Sequence, residues 1–171
     1  MIIWINGSYG VGKSTIAREL HKLNPESFIF DAESVGNAIR DNMPKQLFNG
    51  YIFEGYELWF KTIVELLKVI NKQYKGDIYI PMTLVYPDSF DKIANPLREE
   101  GITLYHVLLE ANYEIIHDRI LNRGETEDCW CMQHINMCLT NQHEFKNVRR
   151  ISTINKTPFD IANKINSLLF W

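Results

Sequence analysis

The sequence predicts an α/β domain in which a five-stranded parallel sheet is covered on both faces by helices. Three observations predict it. Short apolar runs alternate with amphipathic stretches along the chain. The runs lack the polar alternation of half-exposed strands, as expected where both faces are buried. The first run also passes through a glycine-rich turn directly into a helical pattern. A chain of 171 residues holds one core and is short for two domains, so residues 1–171 are read as a single domain.

The elements follow in order. Met1 to Ile5 is the first strand, and the helix after the glycine turn carries Ile16, Leu20 and Leu23 on one face until Asn24-Pro25 stops it. Ser27 to Phe30 is the second strand and leads into Asp31, with Arg40 on the helix that follows. Trp59, Ile63, Leu66, Leu67 and Ile70 mark a longer helix from about Glu54 to Tyr74, closed by Lys75-Gly76. Asp77 to Ile80, Ile102 to Leu109 and Arg150 to Ile154 supply the remaining strands. Thr157 then caps a last helix with Pro158 at its first position, Asp160 in its first turn, and Ile161, Ile165 and Leu168 on one face. Two polar, turn-rich stretches remain, Asn42 to Gly50 and Asn122 to Asp128. Long polar loops in compact domains often act as lids or substrate loops, and a lid is expected over about residues 122–132.

Composition narrows the function classes. The hydrophobic fraction is 46% and the charged fraction 23%, so a folded globular protein is expected rather than a disordered or fibrous one. Net charge is −3 with scattered Lys and Arg, which gives no nucleic-acid groove. The N-terminal apolar run is too short for a signal peptide or a membrane span, so a cytoplasmic protein is expected. Cys129, Cys131 and Cys138, with His134 nearby, could hold a metal, but reduced thiols on a helix are the plainer reading.

The glycine turn carries chemistry. Gly7-Ser8-Tyr9-Gly10-Val11-Gly12-Lys13-Ser14 fits G-x-x-x-x-G-K-[ST] at every fixed position, between a strand and a helix as that motif requires. Glycines let successive main-chain N–H groups turn inward around phosphate oxygens, and the helix N-terminus adds partial positive charge. Lys13 would reach the β- and γ-phosphates, Ser14 would ligate Mg²⁺, and Thr15 adds a hydroxyl near the α-phosphate. The expected ligand is therefore ATP with Mg²⁺.

A GTPase switch is excluded by the lack of D-x-x-G and of a guanine-reading Asp after Asn155-Lys156. Motor and transport ATPases place an acid at the end of a strand beside the loop, and Ile80-Pro-Met-Thr83 has none. Asp31 ends the second strand and should share a crevice with the loop, where it could orient an acceptor hydroxyl and take its proton; a helix cap is the alternative. Glu33 stands two residues on. Arg119 and Arg123, four apart before the lid, are placed over the nucleotide, with Asn155 beside it. Arg40, Tyr56 and Trp59 are candidate acceptor contacts, although Trp59 also fits the apolar stripe of its helix.

These features resemble the small P-loop kinases, such as shikimate, gluconate and adenylate kinases. Met1-Ile-Ile-Trp-Ile-Asn-Gly7, Phe30-Asp31-x-Glu33 with Gly36 and Arg40, Tyr56-x-Leu-Trp59, and Ile80-Pro-Met-Thr83 with Val85 and Pro87 resemble the tunicamycin-resistance ATP-binding proteins, from Met1 to about Leu169. The resemblance implies a P-loop NTPase fold with strand order 2-3-1-4-5, Mg·ATP binding, and resistance to a nucleoside antibiotic. Family members can continue with an amphipathic segment thought to touch membrane; this sequence stops at Trp171, and membrane contact is not among the expectations. The expected reaction is phosphoryl transfer to a hydroxyl of a small molecule, with ATP-dependent drug sequestration as the alternative.

Overall fold

The computed structural model describes residues 1–47 and 52–168; the end of the polar stretch Asn42 to Gly50 and the terminal Leu169 to Trp171 lie outside them. Among the described residues, five parallel strands form one sheet in the order β2-β3-β1-β4-β5, as expected. Central β1 (Ile2–Asn6) pairs with β3 (Ile78–Pro81) and β4 (Leu104–Glu110), while β2 (Phe28–Ile29) and β5 (Arg149–Ser152) form the edges. Ile5 stands opposite both Pro81 and Val107, so β1 and β3 end side by side where the glycine turn emerges, and β4 runs on to Glu110.

Period-two alternation with both faces covered explains why β1 is apolar from Ile2 to Ile5. Ile2 and Trp4 enter a core formed with α2 (Ala32–Asp41), α3 (Glu57–Gln73) and α4 (Pro87–Glu99). Ile3 and Ile5 enter the opposite core, formed with α1 (Lys13–Leu23), α5 (Tyr113–Asn122), α6 (Trp130–Asn141) and α7 (Pro158–Leu168). The result is three layers, helix on sheet on helix.

The edges depart from the expectation of fully covered strands. β2 keeps only two residues of Ser27 to Phe30, and Phe28 is 44% exposed, because an edge strand is paired and packed on fewer sides. β5 starts at Arg149 and ends at Ser152. Its Arg150 donates to Glu110 at 2.6 Å and to the carbonyls of Gln142 and Phe145, which fastens the edge to β4 and to the turn after α6.

Two helices differ from the expected pattern. The helix expected from Glu54 starts at Glu57, because Phe53–Gly55 forms a separate 3₁₀ turn. Between Thr83 and Ile102, where no helix was expected, α4 has Phe90, Ile93, Ala94 and Leu97 at helical spacing in the core. Pro87 in its first turn is favourable, whereas Pro96 inside the helix disguises the pattern. At the chain's end, Thr157 Oγ1 donates to Asp160 Oδ2 at 2.6 Å and accepts from the Asp160 N–H at 3.1 Å, the cap anticipated for α7.

Candidate active site

The loop between β1 and α1 has backbone angles that only glycine takes readily. Gly7, Gly10 and Gly12 have φ of 139°, 78° and 106°. A Cβ on Gly7 would lie 2.6 Å from the Leu109 carbonyl oxygen, and one on Gly10 would lie 2.8 Å from Ile120 Cγ1. The loop closes around Lys13, whose Nζ donates to the carbonyls of Gly7 at 2.9 Å and Ser8 at 3.0 Å. Enclosure of this ammonium pushes its pKa down to about 8. The Tyr9 ring lies 5.6 Å from Nζ and meets Trp130 edge to face, and burial raises the Tyr9 hydroxyl above its ordinary value.

A cavity of about 500 Å³ opens on the loop beyond the ends of β1 and β3. Tyr9, Lys13 and Ser14 form one wall; Glu33, Asn37 and Arg40 from α2, with Phe53 and Glu54, form another. Pro81, Met82 and Thr83 and, from the α5–α6 side, Arg123, Trp130 and Cys131 complete it. A second cavity of about 360 Å³ lies behind the loop, between Gly10, Gly12, Thr15, Arg119, Thr153, Lys156 and Pro158. Arg123 lines both and contacts Glu125 at 2.5 Å through Nε. Arg119 is fixed: it donates to the Val11 carbonyl at 3.3 Å, to Thr153 Oγ1 at 2.8 Å and to the Thr153 carbonyl at 3.0 Å.

Of the two acids after β2, Asp31 departs from the proton-accepting expectation and takes the alternative role of helix cap. Asp31 caps α2, with its carboxylate accepting from the Ser34 N–H at 2.9 Å and the Ser34 hydroxyl at 2.6 Å, and it does not line the cavity. Glu33 does. Arg40 also lines it, donating to Asn37 Oδ1 at 2.6 Å. Trp59 corrects the acceptor-contact expectation: it is fully buried, donates its indole N–H to the Ala32 carbonyl and packs on Trp4, Phe53 and Phe60, so it is core. Tyr56 precedes α3, half-buried against the same core and outside the cavity wall. Asn155 is exposed in a turn with φ of 52° and lines neither cavity, although Thr153 and Lys156 beside it do.

Sequence reasoning missed Glu54. It is 7% exposed, and its carboxylate accepts from the N–H groups of Val85 at 2.6 Å and Tyr86 at 3.1 Å; burial raises its pKa. An acid at a supposed helix start reads as a solvated dipole partner, and only the 3₁₀ turn reveals that it faces inward. Thr83 was also missed as a site residue: its hydroxyl donates to the Gly7 carbonyl at 3.0 Å. Cys129 caps α6, Cys131 lines the cavity and Cys138 is buried, all three free. Among the described residues no group of three or more His, Cys, Asp or Glu could hold a metal ion. The Ser14 hydroxyl at the start of α1 is a donor of the kind that holds magnesium on nucleotide phosphates, and it lines the cavity beside Lys13. Among the described residues, no helix is long and apolar enough to cross a membrane.

A family model described as an AAA domain matches residues 3–133, from β1 into α6 and through the phosphate loop. The chain belongs to this family. None of the curated proteins matches it by sequence. In fold it is similar to the tunicamycin resistance protein of Deinococcus radiodurans, with a TM-score of 0.80, 23% identity, and coverage of 98% of this chain and 94% of that one. It is also similar to a sugar kinase from Janibacter sp. HTCC2649 (TM-score 0.71, 14% identity, coverage 99% and 94%). The APS kinase of Mycobacterium tuberculosis in complex with AMPPNP and APS is a further match (TM-score 0.63, 13% identity, coverage 99% and 97%). The chain thus shares the P-loop kinase-like fold of these structures.

Proposed function

We propose that the protein is an ATP-dependent phosphotransferase acting on a hydroxyl of a small molecule. One observation carries the reading: Lys13 and Ser14 of the phosphate loop face Glu33, Asn37 and Arg40 across a single cavity. The second cavity, between Arg119 and Pro158, is where the nucleoside end of ATP would lie.

In this reading the loop amides and Lys13 hold the β- and γ-phosphates, and Arg123, on the α5–α6 connection that forms the proposed lid, faces the transferring group from the other side. Mg²⁺ bound through Ser14 would offset charge on the phosphates. The acceptor hydroxyl oxygen bonds to the γ-phosphorus as the bond to the β-phosphate oxygen breaks; its proton passes to a carboxylate and ADP leaves. Glu33, which lines this cavity, is the acid assigned here to that proton. Arg40 would hold an anionic or polar part of the acceptor.

Support for nucleotide comes from the fold shared with an APS kinase bound to AMPPNP, and support for a nucleoside antibiotic as acceptor comes from the fold shared with a tunicamycin resistance protein. The cavity wall Pro81-Met82-Thr83 carries no carboxylate, which favours a second reading, ATP-dependent sequestration without modification. Incubation with Mg·ATP and a panel of nucleoside antibiotics, nucleosides and sugars, read by mass spectrometry, separates them. A phosphorylated product supports the phosphotransferase. Compound recovered intact, and retained on the protein only with ATP, supports sequestration and overturns it.

A further inference from the structure

Two polar side chains sit inside the apolar core beneath the phosphate loop. Asn6, the last residue of β1, is fully buried, and His106 of β4 is 6% exposed. Trp4 is opposite His106 in the register, which makes Asn6 and His106 diagonal neighbours on one sheet face. His106 stacks on Phe90 at 4.1 Å and meets Phe145 edge to face at 5.3 Å. Polar groups in such surroundings are costly unless every donor and acceptor is matched.

The matching here has only one solution. Asn6 Oδ1 lies 2.7 Å from the Gly7 N–H and 2.8 Å from the Leu84 N–H, so it must be the acceptor of both. Asn6 Nδ2 therefore faces His106 Nε2 at 3.2 Å, and that nitrogen must accept. Burial keeps the ring neutral, its pKa pushed down to about 3. A flipped Asn6 amide would bring its NH₂ against two main-chain N–H groups. We infer that His106 and Asn6 are positioning residues for the phosphate loop: the ring nitrogen orients the Asn6 amide, and the amide oxygen fixes the first peptide of the loop.

The device matters once ligand arrives. Lys13 donates to the Gly7 carbonyl, a bond that reaching a phosphate would break, whereas the bonds of Asn6 and the Thr83 hydroxyl to Gly7 do not involve Lys13. This inference rests on reading the loop as a Mg·ATP site.

The test compares His106→Phe, which keeps a ring and removes the acceptor, with His106→Gln, which restores one, and with Phe145→Leu, which loosens the same pocket. Mg·ATP affinity is read by calorimetry, amide exchange at Gly7 and Leu84 by NMR, and folding by thermal unfolding. His106→Phe should weaken Mg·ATP about tenfold and speed exchange at both amides, the loss of one buried hydrogen bond and its dependents. His106→Gln should recover most of both, while Phe145→Leu lowers the unfolding temperature and leaves both unchanged. Unchanged affinity and exchange in His106→Phe, or the same losses in Phe145→Leu, would overturn the inference. If the wild-type protein binds no Mg·ATP, the function reading fails, and exchange at Gly7 and Leu84 alone decides the positioning role.

Discussion

The carboxylate of Glu54 accepts the main-chain N–H of Val85 at 2.6 Å, and so ties the cavity wall beside α3 to the turn between β3 and α4. Replacing it by Gln leaves one oxygen for two donors, Val85 and Tyr86, and turns an NH₂ toward one of them. Glu54→Gln should cost about 1–3 kcal/mol in urea unfolding. The pH trend has a definite sign. Burial raises the pKa of Glu54 in the folded state, so the folded chain keeps this proton where the unfolded chain has lost it, and wild-type stability falls as pH rises through that window. Gln does not titrate, so the Glu54→Gln protein should lack this pH trend.

Lys13 sets a second pH dependence. Burial pushes its pKa down to about 8, and phosphate binding favours the charged form. Mg·ATP affinity should be flat below that value and fall by up to about tenfold per pH unit above it, with proton uptake on binding in calorimetry. Ligand-free stability should move the other way. A lysine with a depressed folded pKa costs stability while it is charged in both states, and the cost is relieved as pH rises from about 8 toward the ordinary lysine value.

Glu33 and Asp31 should separate kinetically. Glu33→Gln should lower turnover by about 10²–10⁴-fold in an acceptor assay, with unchanged unfolding. Asp31→Asn should chiefly weaken the cap on α2, by at most about 1 kcal/mol, because Asn also caps helices well. The reverse ranking would return the proton-accepting role to Asp31.

Gly10→Ala should fold less stably and bind Mg·ATP poorly. The new methyl must adopt φ near 78° and press on Ile120 of α5 at 2.8 Å. The left-handed conformation alone costs about 1–2 kcal/mol. Calorimetric titration with Mg·ATP, beside a thermal melt, checks both effects.

Much of this was legible in the sequence because it is local. The phosphate loop is eight consecutive residues with fixed positions, and the strand and helix periods follow from chain geometry. The strand order 2-3-1-4-5 came with the resemblance and matches the observed sheet. Trp59 shows where periodicity already held the answer: it lies on the apolar stripe of α3, and the structure keeps it in the core rather than the acceptor site.

The rest depended on direction in space. Asp31 caps α2 from extended backbone while Glu33 lies in the first helical turn, so nearness to the loop in sequence could not say which one faces it. The turn at Phe53–Gly55 aims Glu54 inward, and the pairing of β1 with β4 brings Asn6 to His106 across 100 residues of chain. The sequence by itself determined the fold class and the glycine loop with Lys13 at its end, since each is written in short-range spacing. Only the tertiary structure decided that Glu33 rather than Asp31 lines the loop's cavity, and which buried polar groups hold the loop in place. Those choices rest on helix rotation, strand register and hydrogen-bond matching in the core, none of which is encoded within a single segment.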